Sequence, residues 1–308
     1  MSSVKLFAGK GSNELAKKIA HHYGKPLGES ISEKFSDGEL SYHYNESVRG
    51  NLIFLIQSTA PPSDNIIELL LMIDAARRAS ADYVTVVVPY FGYARQDRKD
   101  KPRVSIAAKL MANILSAAGA DRIMTCDLHA GQIQGFFDIP VDHLDASYIF
   151  YPYLETLKLD NMIFASPDVG GVARARSYAK HFAVEMVVCD KHRKRANEVA
   201  SMQVIGDVEN KDVILVDDMI DTAGTMCRAA NLLKEKGATS VRAVCTHAVL
   251  SGKAYENIAN SELEELVVTD TLPLKQESDK IKVITVADLF AKAIRKVHDH
   301  ESISSLFR

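Results

Sequence analysis

No two of the four cysteines, Cys126, Cys189, Cys227 and Cys245, stand in a CxxC spacing, which argues against a cysteine zinc site or a redox dithiol. Each sits in an apolar strand or helix pattern and is expected to be a reduced core residue. Excess charge of either sign is also missing. The formal net charge is −3, which gives no footing for nucleic acid or an anionic membrane surface as partner. No apolar run approaches bilayer-spanning length, and the opening MSSVKLFAGK has no signal-peptide apolar stretch. These absences predict a soluble cytoplasmic protein. At 308 residues the chain exceeds what one core usually holds, so two domains of about 150 residues are expected.

What the chain does have is alternation. Strand-like runs at Val4–Ala8, Leu52–Gln57, Val84–Val88, Ile123–Cys126, Ile163–Ala165, Val184–Cys189, Val213–Val216, Val241–Thr246 and Leu266–Thr269 interleave with helical periodicity. The helical stretches are Ser12–Tyr23, Asp64–Ala79, Ser105–Ala118, Val169–Phe182, Thr225–Lys236 and Ala287–Val297. Ser12 and Asp64 read as N-caps, Gly119 and Gly237 as residues just past a helix end. The fold class is α/β with mainly parallel sheets flanked by helices. An internal repeat supports two similar halves: Ala112-Asn113-Ile114-Leu115, Gly119-Ala120, Ile123 and His129-Ala130 recur as Ala230-Asn231-Leu232-Leu233, Gly237-Ala238, Val241 and His247-Ala248.

The richest stretch is VILVDDMIDTAGT, Val213–Thr225. Four apolar residues read as a buried strand, followed by Asp217, Asp218 and Asp221 and then a small-residue and hydroxyl turn into a helix. Backbone N–H groups at a helix N-terminus receive phosphate, Thr222 and Thr225 add hydroxyls, and carboxylates accept from sugar hydroxyls. The pattern points to a phosphorylated sugar at the carboxyl end of a parallel strand.

Other constellations carry weaker signals. Pro89–Arg103 (PYFGYARQDRKDKPR) is either a solvated charged loop or a polyphosphate lid with aromatics for a base. Asp127 and His129 alternate with Leu128 at a strand end and could face one crevice as ligands for a divalent cation. Asp168 in SPDVGG is an N-cap or a second crevice carboxylate. Lys191, Arg193, Lys194 and Arg195 form the densest positive run, suited to a phosphoryl transition state. Phe35–Glu39 (FSDGE) reads as a hairpin turn between two strand-like runs.

Val213–Thr225 resembles the fingerprint of the type I phosphoribosyltransferase fold. The sixteen residues Asp127–Asp142, with FSDGE, GYARQDRK, SPDVGG, the K-x-R of Lys191 to Arg193 and the terminal ESISSLF, resemble the ribose-phosphate pyrophosphokinase family in its own order. The resemblance implies transfer of the diphosphoryl group of ATP to the C1 hydroxyl of ribose 5-phosphate. It implies domains at 1–145 and 146–285, the helix at 286–308 packing back on the first.

By motif, Asp37, Gly38 and Glu39 would contact ATP with Phe35 stacking on adenine, and Arg95 and Gln96 would join them. Such hairpin loops in the family reach a neighbouring subunit's site. His129 and Asp168, with Asp127 as a further candidate, would serve Mg2+. Lys191 and Arg193 would be catalytic. Arg193, Asp217, Asp218, Asp221, Thr222, Ala223, Gly224 and Thr225 would hold ribose 5-phosphate. Ser47, Arg49, Gln134, Ser302, Ser304 and Phe307 resemble a site for activating inorganic phosphate and inhibitory ADP. A homo-oligomer is implied, a hexamer built from dimers. Two departures stand out: Ala223 where the family often has Gly, and Gly131 where Ser or Asp often follows His-Ala. The competing readings are a phosphoribosyltransferase that consumes the product, and a non-catalytic regulatory paralogue.

Overall fold

The computed structural model describes residues 3–192 and 201–307. It divides into two compact units, Met1–Ala146 with Thr285–Arg308, and Ser147–Ile284.

The first unit begins with β1 (Val4–Ala8), α1 (Asn13–Tyr23) and a hairpin of β2 (Ser30–Lys34) and β3 (Leu40–Tyr44). It continues through β4 (Leu52–Ile56), α2 (Asp64–Arg78), β5 (Tyr83–Val88), α3 (Ala107–Ala118), β6 (Arg122–Cys126) and β7 (Val141–Leu144). Among the described residues, five parallel strands lie in the order β1-β4-β5-β6-β7. β4 and β5 are near-continuous apolar runs because both faces of a parallel sheet are covered. Phe7, Leu55, Met72, Val86, Leu115 and Ile123 belong to one core.

The second unit comprises α4 (Ser147–Thr156), β8 (Met162–Ser166), α5 (Val172–His181), β9 (Met186–His192), β10 (Ser201–Ile205), β11 (Asp212–Ile220), α6 (Gly224–Glu235), β12 (Ser240–Ala248), α7 (Ala254–Ala259), β13 (Glu265–Thr269) and β14 (Ile281–Ile284). Its strands run β10-β9-β8-β11-β12-β13-β14, all neighbours parallel except β9 and β10. The repeat has a structural counterpart. α3 and α6 are each followed by a left-handed glycine, Gly119 (φ 112°) and Gly237 (φ 93°), and Ala112, Leu115, Ala230 and Leu233 are all buried.

The chain ends in α8 (Ala287–His298), whose Leu289, Phe290, Ala293 and Ile294 are buried in the first unit. α8 packs on α1. Arg295 donates to the Tyr23 carbonyl at 2.7 Å, and its guanidinium lies 4.8 Å from the Tyr23 ring centre. Burying side chains of the size of Phe290 and Ile294 contributes about 1.5–3 kcal/mol each.

Several expectations need correction. Ser63, not Asp64, is the N-cap of α2; Asp64 is its first helical residue and pairs with Lys34 at 2.8 Å. Ser12 stands at the N-cap of α1, but its hydroxyl accepts from Ser58 N–H at 2.7 Å and caps nothing in the helix. β7, β10, β14, α4 and α7 were not anticipated. The four cysteines are buried and in no disulfide, and no helix of the described residues is long and apolar enough to cross a membrane.

Candidate active site

In the second unit, β11 does not stop at Val216 as expected. It runs on to Ile220, so Asp217 and Asp218 are strand residues, their carboxyl groups close enough to interact. Asp218 is buried and faces the Arg174 guanidinium of α5 at 3.9 Å. Asp217 accepts from Asp218 N–H at 2.9 Å. Burial first, then the charges of Asp218 and Asp168, push its carboxyl up to about 8. Asp168 and Asp218 thus lie near enough for their charges to act on the Asp217 carboxyl. Among the described residues no three His, Cys, Asp or Glu side chains form a group that could hold a metal ion.

After Ile220 the chain turns through Asp221, Thr222 and Ala223 into α6. Ala223 is buried in the left-handed region (φ 61°), which costs a residue with a Cβ roughly 1–2 kcal/mol. Its carbonyl accepts from Cys227 N–H at 2.9 Å, the first bond of α6. No side chain caps this end. The N–H groups at Gly224 and Thr225 therefore lack intrahelical partners and are open to an anion.

Asp168 is not the N-cap of α5, which is Gly171, and its charge acts on the Asp217 carboxyl. Its Oδ1 accepts from Gly171 N–H at 3.0 Å, and its carbonyl accepts from the Ser166 hydroxyl at 2.5 Å. α5 consequently starts three residues after the expected Val169. Lys191 lies within β9, opposite Met202 of β10, not in a turn after the strand. Arg193, Lys194 and Arg195 fall outside the described residues.

In the first unit, the aromatics of Pro89–Arg103 do not wait for a base. Tyr90 and Phe91 are buried, Phe91 against Phe137 with ring centres 5.7 Å apart, and of the three only Tyr93 is exposed. The loop base is bound to the segment after β4: Ser58 Oγ accepts from Tyr90 N–H at 3.1 Å, and Thr59 Oγ1 from Gly92 N–H at 2.7 Å. A Cβ on Gly92 would lie 2.2 Å from the Thr59 carbonyl oxygen, so this approach requires glycine. Beyond it Arg95 and Gln96 are exposed, and Gln96 Oε1 accepts from the Ser105 hydroxyl at 3.1 Å. Asp97 accepts from the Gln132 amide at 2.9 Å, which ties this loop to the turn after His129.

Asp127 and His129 do not share an orientation. β6 ends at Cys126, Asp127 is left-handed (φ 38°) and buried, and its Oδ1 accepts from Ala146 N–H at 3.2 Å. His129 is exposed. The turn between them is held by His143, whose Nε2 accepts from Leu128 N–H at 2.9 Å. His143 and Arg174 had no signal in the sequence. The FSDGE segment closes the β2–β3 hairpin: Phe35 N–H donates to the Glu39 carbonyl at 2.8 Å, Gly38 is left-handed (φ 99°), Asp37 accepts from Glu39 N–H, and the Phe35 ring is 57% exposed. Ser47 and Arg49 are exposed after β3, Gln134 approaches His143 at 3.3 Å, and Ser302 and Ser304 are exposed beside the half-buried Phe307.

The two mapped arrangements coincide with known sequences. Residues 4–119 match the N-terminal domain of ribose phosphate pyrophosphokinase, and residues 192–308 match the phosphoribosyl synthetase-associated domain. The chain is 57% identical over 308 residues to the ribose-phosphate pyrophosphokinase of Campylobacter jejuni, covering 100% of both. It is 56% identical over 307 residues to that of Porphyromonas gingivalis, covering 99% of this chain and 98% of the relative. The crystal structure of phosphoribosylpyrophosphate synthetase from Mycobacterium smegmatis superposes with a TM-score of 0.92 at 40% identity, over 97% of this chain and 100% of that one. The chain belongs to the ribose-phosphate pyrophosphokinase family.

Proposed function

We propose that this chain transfers the β,γ-diphosphoryl group of ATP to the C1 hydroxyl of ribose 5-phosphate, giving 5-phosphoribosyl 1-diphosphate and AMP. The C1 oxygen forms a bond to the β-phosphorus, the bond from that phosphorus to the oxygen bridging to the α-phosphate breaks, and the hydroxyl proton is lost. The observation that carries the reading is the uncapped α6 N-terminus after Asp221–Ala223, directly beyond the paired acids of β11. Together they offer donors to a phosphate and acceptors to sugar hydroxyls.

In this reading Asp217, Asp218 and Asp221–Thr225 hold ribose 5-phosphate. Phe35, Asp37, Gly38, Glu39, Arg95 and Gln96 serve ATP. Lys191 and Arg193 stabilise charge on the β-phosphoryl oxygens and on departing AMP, since such transfer rests on positioning and electrostatics. Asp168 in the second unit and His129 in the first are each candidates to bind Mg2+, which when bound neutralises triphosphate charge. Ser47, Arg49, Gln134, Ser302, Ser304 and Phe307 would respond to inorganic phosphate and ADP. The enzyme would work in the cytoplasm as a hexamer built from dimers.

Incubation with ATP, ribose 5-phosphate and Mg2+ should yield AMP and the diphosphate product in equal amounts; AMP without that product would overturn the reading. Lys191→Ala should lower kcat by roughly 10²–10³-fold, the scale for losing a preorganised transition-state donor. Near-normal turnover in a folded variant would remove Lys191 from that role. Light scattering, with phosphate and ADP varied in the assay, tests assembly and regulation.

A further inference from the structure

The ribose-phosphate turn poses an electrostatic problem. Asp221 and the Thr222 carbonyl are acceptors at the mouth of an anion site, where each would repel a phosphate unless it is turned aside. The segment that follows β12 does this. Leu250 N–H donates to the Ile220 carbonyl at 3.0 Å, and Ser251 N–H to the Asp221 carbonyl at 2.9 Å. The Ser251 hydroxyl donates to Asp221 Oδ1, and the Asn257 amide to the Thr222 carbonyl at 2.8 Å. These bonds cover three successive residues of the turn, immediately before left-handed Ala223.

We infer that Ser251 and Asn257 are positioning residues for ribose 5-phosphate: a strap from 250 to 257 engages the acceptors of Asp221 and Thr222 and leaves the α6 N–H groups to face the 5-phosphate. The inference rests on the assignment of Asp221–Thr225 as the ribose 5-phosphate turn. Neither residue touches the reacting atoms in this scheme. Backbone bonds alone could hold the path of Ile220 and Asp221, but the Asp221 carboxylate and the Thr222 carbonyl are bonded by side chains, so the strap carries sequence-specific information.

The choice of variants follows from the surroundings. A cavity of about 370 Å³ lined by Gly224, Arg228, Asn257 and Asn260 opens beside the amide, so Asn257→Ala would let water replace the lost donor. Asn257→Leu keeps the volume, adds no charge and donates nothing. Ser251→Ala removes the hydroxyl, and Ser251→Thr restores it. In full-length protein, Asn257→Leu and Ser251→Ala should each raise KM for ribose 5-phosphate about tenfold, the scale of one lost hydrogen bond to the turn. KM for ATP and kcat should stay within about threefold, and Ser251→Thr should return KM toward the starting value. Calorimetric titration of ribose 5-phosphate without ATP should show the same weakening.

An unchanged KM for ribose 5-phosphate in both folded variants overturns the strap. So does a parallel loss in both KM values and thermal midpoint, which would mark a purely structural role. If the unaltered protein makes no product from ATP and ribose 5-phosphate, the proposed activity fails instead, and the calorimetry still decides whether the strap shapes the turn.

Discussion

At the scale of single residues, Asp217 makes the site a sensor of its own ionisation. Its carboxyl is pushed up to about 8 by burial and by Asp218 and Asp168, against about 3.9 in an unfolded chain. Between those values the folded protein binds more protons than the unfolded one, so stability falls as pH rises through that window. The thermal midpoint of ligand-free protein should therefore drop from pH 5 to pH 8, and Asp217→Asn should flatten the slope. An identical slope in the variant would assign the proton elsewhere. Gly92 gives a steric prediction. With a Cβ 2.2 Å from the Thr59 carbonyl oxygen, Gly92→Ala must shift the loop base, at about 1–3 kcal/mol. KM for ATP should rise while calorimetric affinity for ribose 5-phosphate holds; equal affinity for ATP would separate Arg95 and Gln96 from this anchor.

Among elements, α8 bears the largest local responsibility. Phe290 is fully buried in the first unit, and removing such a ring costs about 3–5 kcal/mol. Phe290→Ala should therefore strip hydrogen-exchange protection from β1 and β4 and leave β11 and β12 protected. Uniform loss across both sets would contradict the division into two units. Helix α8 was legible because its apolar residues recur with helical period, and β4, β5 and β12 because parallel strands covered on both faces are apolar throughout. β7 was not, because Asp142 and His143 interrupt its short apolar pattern. Asp142 is in fact satisfied by Arg122, whose Nη1 lies 2.8 Å from both carboxylate oxygens. α4 hides behind Pro152, and β14 is a four-residue strand at the edge of its sheet. β9 was cut short because Asp190, Lys191 and His192 look like a charged loop. Pairing with β10 extends the strand through them.

For the molecule as a whole, residue chemistry could be read where it is contiguous and not where the chain returns. Val213–Thr225 announced acids and a phosphate turn together. The partners that orient them, Arg174, Ser251 and Asn257, come from other segments and became visible only with the fold. The same limit made Tyr90 and Phe91 look available, although their rings belong to the core. Chain return also sets an order of events during synthesis. The second unit is a single span, whereas the first is closed by residues 285–308. At roughly 5–20 residues per second, the face of α1 that will receive α8 must wait tens of seconds on the ribosome after it is made. The later unit can finish folding first, and the earlier one stays exposed to chaperones or to a premature partner until the last helix emerges.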